Sequence, residues 1–181
     1  MKRLPFTVLV GLVLKLTVGA TPALGQHPQK RSGFWFNGEL GWGSLGCDNC
    51  GTRTGGMSGG LSLGGTLNSH ILLGVGTSAW SKSETGVTMT VATLDARIRV
   101  YPQAKGGFFL TGGVGYGSLS AGLSGYGVSA SEGGVSGLLG VGYDIRVGPM
   151  VSVTPFWNGF AVKTSNSNSN VGQLGLGITI H

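Results

Sequence analysis

From residue 33 onward, apolar and polar positions along the chain mostly alternate with a period of two. In "TLDARIRVYP" (93–102), Asp95, Arg97 and Arg99 are interleaved with Ala96, Ile98 and Val100. Such a period sends successive side chains to opposite faces of a strand. Eight runs of this kind, bounded by Gly, Asn, Ser or Pro clusters, are predicted at about 33–45, 57–67, 70–81, 87–101, 107–119, 135–147, 150–163 and 171–181. No helical period lies between them. Consecutive strands therefore pair antiparallel in a meander rather than through βαβ crossovers. The connections 67–70, 102–107 and 147–150 read as tight, whereas 46–56, 81–86, 120–134 and 163–170 are mostly longer. A meander gathers the tight connections at one end and the long ones at the other.

Each strand has two unlike faces. In the first run Phe34, Phe36, Leu40 and Trp42 oppose Asn37, Glu39, Gly41 and Gly43; in the fourth, Leu94, Ala96, Ile98 and Val100 oppose Asp95, Arg97, Arg99 and Tyr101. The sixth sets Val141, Tyr143, Ile145 and Val147 against Gly140, Gly142, Asp144 and Arg146. The last sets Leu174, Leu176, Ile178 and Ile180 against Gln173, Gly175, Gly177 and Thr179. Either face could be the inner one.

Composition weighs on that choice. Charged residues make up 10% of the chain, well below the roughly 25–35% of an ordinary soluble surface, so something other than water covers much of the molecule. The 37 glycines form neither a collagen period nor a low-complexity tract. On a solvated face they would weaken strands without return. On the inside of a narrow barrel they leave room for Trp35, Trp80, Phe109, Phe156 and the arginines. The strand charges Glu39, Asp95 and Asp144 balance Arg97, Arg99 and Arg146, which suits an enclosed, ion-paired interior. Aromatics recur on the apolar face: Phe34 and Trp42 are eight residues apart, as are Phe108 and Tyr116, and Tyr143 and Trp157 share that face. Eight residues of strand tilted near 40° rise ~20 Å, close to the ~25 Å band between the aromatic girdles of a membrane barrel. A secreted sandwich with the apolar face inward is the alternative reading. The greasy-side-out barrel accounts for more of the sequence. Because hydrocarbon satisfies no edge N–H or C=O, the first and eighth strands must then join.

The N-terminus reads as a secretory leader over 1–25: Lys2-Arg3, an apolar run from Leu4 to Leu14, then "TPALG" before Gln26, with a competing cut after Ala20. The apolar run is too short to span as a helix. Residues 26–181 are then one barrel domain. Removing Lys2, Arg3 and Lys15 from the twelve basic residues leaves nine against six acidic, a net of +3. Those nine are scattered, which does not suit a nucleic-acid partner.

The leader, "GFWFNGELGWG" (33–43), "TLDARIRVYP" with "GGFFLTGGVGYG" (106–117), and the closing "GQLGLGITIH" (172–181) together resemble the small eight-stranded outer-membrane β-barrel family that includes OmpX, Ail and the membrane domain of OmpA. The resemblance implies an all-β, up-and-down barrel in the outer membrane of a Gram-negative-type bacterium, with termini and tight turns in the periplasm and long loops outside. It also implies outer-membrane lipid as surroundings and recognition of the C-terminal strand by the assembly machinery. That strand usually ends in an aromatic residue; here it ends in His181.

Catalysis finds little support. A Ser-His-acid site needs an imidazole beside the nucleophile, and His27, His70 and His181 all fall at the expected periplasmic end, away from the outer leaflet where a lipid-modifying enzyme works. "CDNC" (47–50) holds the only cysteines. With no second pair or histidine cluster for zinc and no helix N-terminus for a redox motif, Cys47 and Cys50 read as a structural disulfide in a loop tip. No metal or cofactor is predicted. The lumen charges Glu39, Asp95, Arg97, Arg99, Asp144 and Arg146 fit a salt-bridged plug better than an ion path in so narrow a barrel. The expected function is non-enzymatic: a membrane-stabilising scaffold whose outer loops meet an unknown surface ligand or mediate adhesion. A narrow channel or an OmpW-like path for small molecules is the alternative, and a lipid-modifying enzyme a third.

Overall fold

The computed structural model describes residues 31–48, 51–123 and 129–181. The leader and its cleavage point, His27 and Cys50 lie outside them. The strands are β1 (Phe34–Cys47), β2 (Thr54–Asn68), β3 (Ile71–Glu84), β4 (Val87–Val100), β5 (Phe108–Leu123), β6 (Ser129–Tyr143), β7 (Ile145–Arg146), β8 (Val151–Lys163) and β9 (Asn168–Ile180). Segments β6 and β7 are two parts of one stave, interrupted at Asp144, and both pair with β8. Sequential neighbours pair antiparallel, and the β1–β9 ladder closes the sheet into an eight-staved barrel. Among the described residues no helix is long and apolar enough to cross a membrane; this chain would cross with strands.

The register fixes the barrel's shape. A walk across paired residues from Phe34 runs through Gly65, Leu73, Ile98, Gly112, Leu139, Gly159 and Gly172 and re-enters β1 at Ser44, a stagger of ten residues. With ~3.3 Å per residue and ~4.8 Å between strands, that stagger over eight staves gives a tilt of about 41° and a backbone radius of about 8 Å. Such a lumen is filled by side chains.

The glycines of the inner face supply the space. A Cβ on Gly43 or Gly56 would collide with the Trp80 ring, and one on Gly76 would lie 2.5 Å from Arg97 Nε. The two faces segregate as the alternation predicts, with Leu40, Val114, Leu139, Leu174 and Ile178 exposed outside and Trp35, Trp80, Phe109 and Phe156 buried inside.

The connections differ from the expected contrast of long and tight. Strands β5 and β6 stay paired up to Gly122 and Ser129, so most of 120–134 is ladder. The β3–β4 hairpin closes with a two-residue turn, Glu84 pairing Val87 across Thr85 and Gly86 at φ 48° and 81°, the double positive-φ geometry that matches strand twist. Ser118–Gly122 and Ser129–Gly134 are mostly small and polar in sequence, yet their pairing continues unbroken. Leu119 is the exception and packs against the apolar cluster inside the barrel. The connection expected to be tight at 102–107 runs from 101 to 107 and is the longest among the described residues at the end where β1 begins.

Candidate functional site

The barrel interior is built in two tiers. At the end where β1 begins and β9 finishes, polar side chains interlock. The Arg31 guanidinium caps this mouth, donating to Ala104 O at 3.0 Å and Gly106 O at 2.5 Å and stacking 3.4 Å over the Tyr101 ring. Tyr101 OH donates to Asp144 Oδ2 at 2.7 Å, and Thr154 Oγ1 to Asp144 Oδ1 at 2.7 Å. His181 Nε2 lies 3.6 Å from the same carboxylate. The interruption between β6 and β7 makes this possible: Asp144 N–H donates to Gly107 O outside the regular ladder while its side chain turns fully into the barrel.

Further in, Arg99 is sandwiched between the Trp35 ring at 5.0 Å and the Phe109 ring at 4.2 Å. Its Nη2 lies 3.8 Å from Glu39 Oε1, while Asn158 Nδ2 donates to Glu39 Oε2 at 3.1 Å. Arg97 Nε donates to Asp95 Oδ1 at 2.9 Å and Nη2 to Ser78 at 2.8 Å; Thr93 completes the Asp95 carboxylate at 3.0 Å. Buried charges persist only when paired and hydrogen-bonded, and alternate positions of β1, β4 and β8 point these partners at one another.

The second tier is apolar. Leu45, Trp80, Val91, Leu138, Phe160, Val162 and Val171 form one buried cluster inside the opposite half of the barrel. Trp80 Nε1–H donates to Gly43 O at 3.1 Å, which satisfies its single polar atom. A salt-bridged plug with inward aromatics was expected; the structure gathers Trp80 with Phe160 and five aliphatic residues into a separate apolar tier. Chemically, the two tiers brace the staves against one another, one through ion pairs and hydrogen bonds, the other through packing. Among the described residues no group of three or more His, Cys, Asp or Glu could hold a metal ion.

Of the six residues assigned to the lumen from sequence, Glu39, Asp95, Arg97, Arg99 and Asp144 are buried inside. Arg146 is half-buried and donates to the turn carbonyls of Gly148 and Pro149, so it braces a rim. The six girdle residues all face outward, with exposures from 41% at Tyr143 to 63% at Phe34. By the measured stagger, Phe34, Phe108 and Tyr143 fall within about 6 Å of one level and Trp42 and Tyr116 share a level about 20 Å higher. Trp157 falls near mid-band, about 14 Å above Phe34, because it pairs across to Val141 and Leu174 rather than to a strand end. Cys47 closes β1; its expected partner Cys50 lies outside the described residues.

Sequence reasoning missed Arg31, Thr154 and Asn158 as parts of the polar tier and Leu45, Val91, Leu138, Phe160, Val162 and Val171 as the apolar one. Strand parity was the available signal. Val91 shares the phase of Thr93 and Asp95, and Leu138 that of Ser136 and Gly140.

The architecture has counterparts among known proteins. Ail, the attachment invasion locus protein of Yersinia pestis, superposes with a TM-score of 0.62 at 12% identity, covering 83% of this chain and 100% of its own. Neisserial surface protein A superposes with a TM-score of 0.62 at 17% identity, covering 84% of this chain and 99% of its own. A second structure of Ail, in complex with the heparin analogue sucrose octasulfate, gives 0.61 at 13% identity over 82% of this chain and 99% of that one. These identities speak for a common fold only. No curated protein sequence matches the chain. The family model for the outer membrane protein β-barrel domain matches residues 11–181, and with a closed eight-staved meander, apolar outside and ionic within, the chain belongs to that family.

Proposed function

We propose that this chain is a non-enzymatic, electrically silent barrel that stabilises the outer membrane and displays its outer hairpins for contact with a surface ligand. The observation that carries the silent reading is the double plug. A path along the axis would have to cross both the ionic tier around Arg99 and Glu39 and the apolar tier around Trp80 and Phe160. An ion crossing the latter would shed its hydration with nothing to replace it. Reconstitution in planar bilayers tests this: the barrel should give no reproducible single-channel steps, and steady conductance would favour the channel reading.

For display, the relevant parts are the connections between β1 and β2, β3 and β4, β5 and β6, and β8 and β9. Function on such scaffolds is usually carried by the connections. Ail of Yersinia pestis has been crystallised with a polysulfated heparin analogue, which makes polyanionic glycans a reasonable first class to screen. Cells carrying the barrel should adhere to heparin-coated surfaces more than cells lacking it, with loss in high salt. Equal adhesion would remove that ligand class. Export with removal of the leader near Gly25/Gln26, a periplasmic position for both termini, and handling of β9 by the assembly machinery belong to the same proposal. Consistent with that last point, β9 pairs with both β1 and β8 and forms the closing seam.

A further inference from the structure

Asn-Gly is a signal for a tight hairpin turn, and the chain contains it at two places, Asn37–Gly38 and Asn158–Gly159. Neither lies in a turn. Asn37 is near the start of β1 and Asn158 in the middle of β8, and both side chains point inward, at most 2% exposed.

Both amides serve the ionic tier. Asn37 Nδ2 donates to Thr179 Oγ1 at 2.9 Å, and Arg99 Nη2 donates to Asn37 Oδ1 at 3.4 Å. Asn158 Nδ2 donates to Glu39 Oε2 at 3.1 Å. The glycines that follow face outward, and crowding does not require them. A Cβ on Gly38 would come no nearer than 3.5 Å, to the flexible end of Leu61, and one on Gly159 no nearer than 3.7 Å.

Asparagine followed by glycine is chemically labile. The glycine nitrogen, unhindered by a Cβ, attacks the Asn Cγ. The N–Cγ bond forms, the Cγ–Nδ2 bond breaks, and the amide leaves as ammonia with the proton of the glycine N–H. Water then opens the five-membered succinimide at either carbonyl, which yields aspartate or β-linked isoaspartate. Ring closure needs the Asn Cβ and the next nitrogen eclipsed about the Cα–C bond, far from their arrangement in extended backbone. In the barrel each glycine is held in ladders on two sides: Gly38 pairs with Leu61 and Ile178, and Gly159 with Leu139 and Gly172.

We propose that Asn37 and Asn158 are spontaneous deamidation sites that folding closes, and that their conversion in the unfolded chain withdraws it from folding. Aspartate at 158 sets a second carboxylate against Glu39 in an enclosed lumen, where an unpaired charge is costly. Isoaspartate at either position adds a methylene group to the main chain and breaks the register on which the inward and outward alternation depends. The time a chain spends unfolded thus limits its competence to form the barrel.

The mature chain, held unfolded in guanidinium chloride at mildly alkaline pH for increasing times and then diluted into lipid vesicles, tests this beside barrel folded before the same incubation. Peptide mass spectrometry locates amide loss, and the gel mobility of unheated samples reports the folded fraction. Asn37 and Asn158 should convert in the unfolded chain and at least about a hundredfold more slowly in the folded barrel, since opening of a paired strand is rare. Folding yield should fall in proportion to conversion. The Gly38→Ala/Gly159→Ala double variant, which has room for both methyl groups, hinders the attacking nitrogen and should keep its yield through the incubation. Equal conversion in folded and unfolded samples, a level yield while both sites convert, or equally fast loss of yield in the double variant would overturn the proposal.

Discussion

Substituting Gly142 by alanine isolates the claim that inner glycines exist to seat large inner side chains. Gly142 lies on β6 between Phe109 of β5 and Phe156 of β8. An added Cβ would stand 2.9 and 3.1 Å from Phe109 Cε1 and Cε2, with Cζ nearer still. Carbon atoms prefer ~3.5–4.0 Å, so the ring must retreat by roughly 1 Å. It has little freedom to do so, because the Arg99 guanidinium stacks on it at 4.2 Å and the Tyr101 ring lies 5.4 Å away, centroid to centroid. Overpacking of this kind costs about 1–3 kcal/mol. Alanine also reduces the freedom of the unfolded chain, worth about 0.4–1 kcal/mol in the opposite direction, so the observed loss understates the clash. Gly172→Ala is the control, since its Cβ meets nothing within 4 Å. Urea unfolding in lipid vesicles, followed by tryptophan fluorescence and by the gel mobility of unheated samples, measures both. Gly142→Ala should lose stability, Gly172→Ala should not, and adding Phe109→Leu to Gly142→Ala should recover part of the loss as a non-additive coupling. If Gly142→Ala matches the control, or is strictly additive with Phe109→Leu, the packing account of the glycines is wrong.

The other predictions concern charge, plug and loop. Asp95→Ala leaves Arg97 buried without its ion-pair partner and should cost about 3–5 kcal/mol, read by the same unfolding assay; a loss below about 1 kcal/mol would mean that water compensates this charge. Replacing both Trp80 and Phe160 by alanine removes the bulk of the apolar tier. This variant should raise water or ion leakage in vesicles, whereas Leu40→Ala on the outer face should not. Intact-mass analysis of the mature protein should show an N-terminus at Gln26 and two cysteines that accept an alkylating reagent only after reduction, because Cys47 and Cys50 are expected to be paired; immediate alkylation would contradict the disulfide.

Architecture was legible because a membrane barrel writes its inside and outside as alternating positions. In β4, Asp95, Arg97 and Arg99 could be placed together on one face from sequence alone, and the structure buries all three. Partner choice was not legible. Arg97 takes Asp95, its neighbour on the same face of β4, but that Arg99 takes Glu39 and two ring faces depends on stagger, which sets heights across neighbouring staves. The same limit applies to Trp157, whose phase is right but whose level follows from pairings with Val141 and Leu174. The apolar tier was missed for another reason: Val91, Leu138 and Val171 are apolar residues on the inner phase, and a rule that equates apolar with lipid-facing overlooks them. Hairpin lengths were misjudged because Ser118–Gly122 and Ser129–Gly134, mostly small and polar, read as loop in sequence although their backbones stay paired.

Accessibility to lipid tails, compared for two tryptophans, puts the inside-out arrangement to its most direct test. Trp42 is 62% exposed on the outer face and Trp80 is 0% exposed within the lumen. Two variants, each retaining one of these residues as its only tryptophan, would be folded into bilayers whose acyl chains carry bromine. The fluorescence of Trp42 should be strongly quenched and that of Trp80 left nearly untouched. Quenching of Trp80 with Trp42 spared would mean that the apolar face is turned inward and the charges outward.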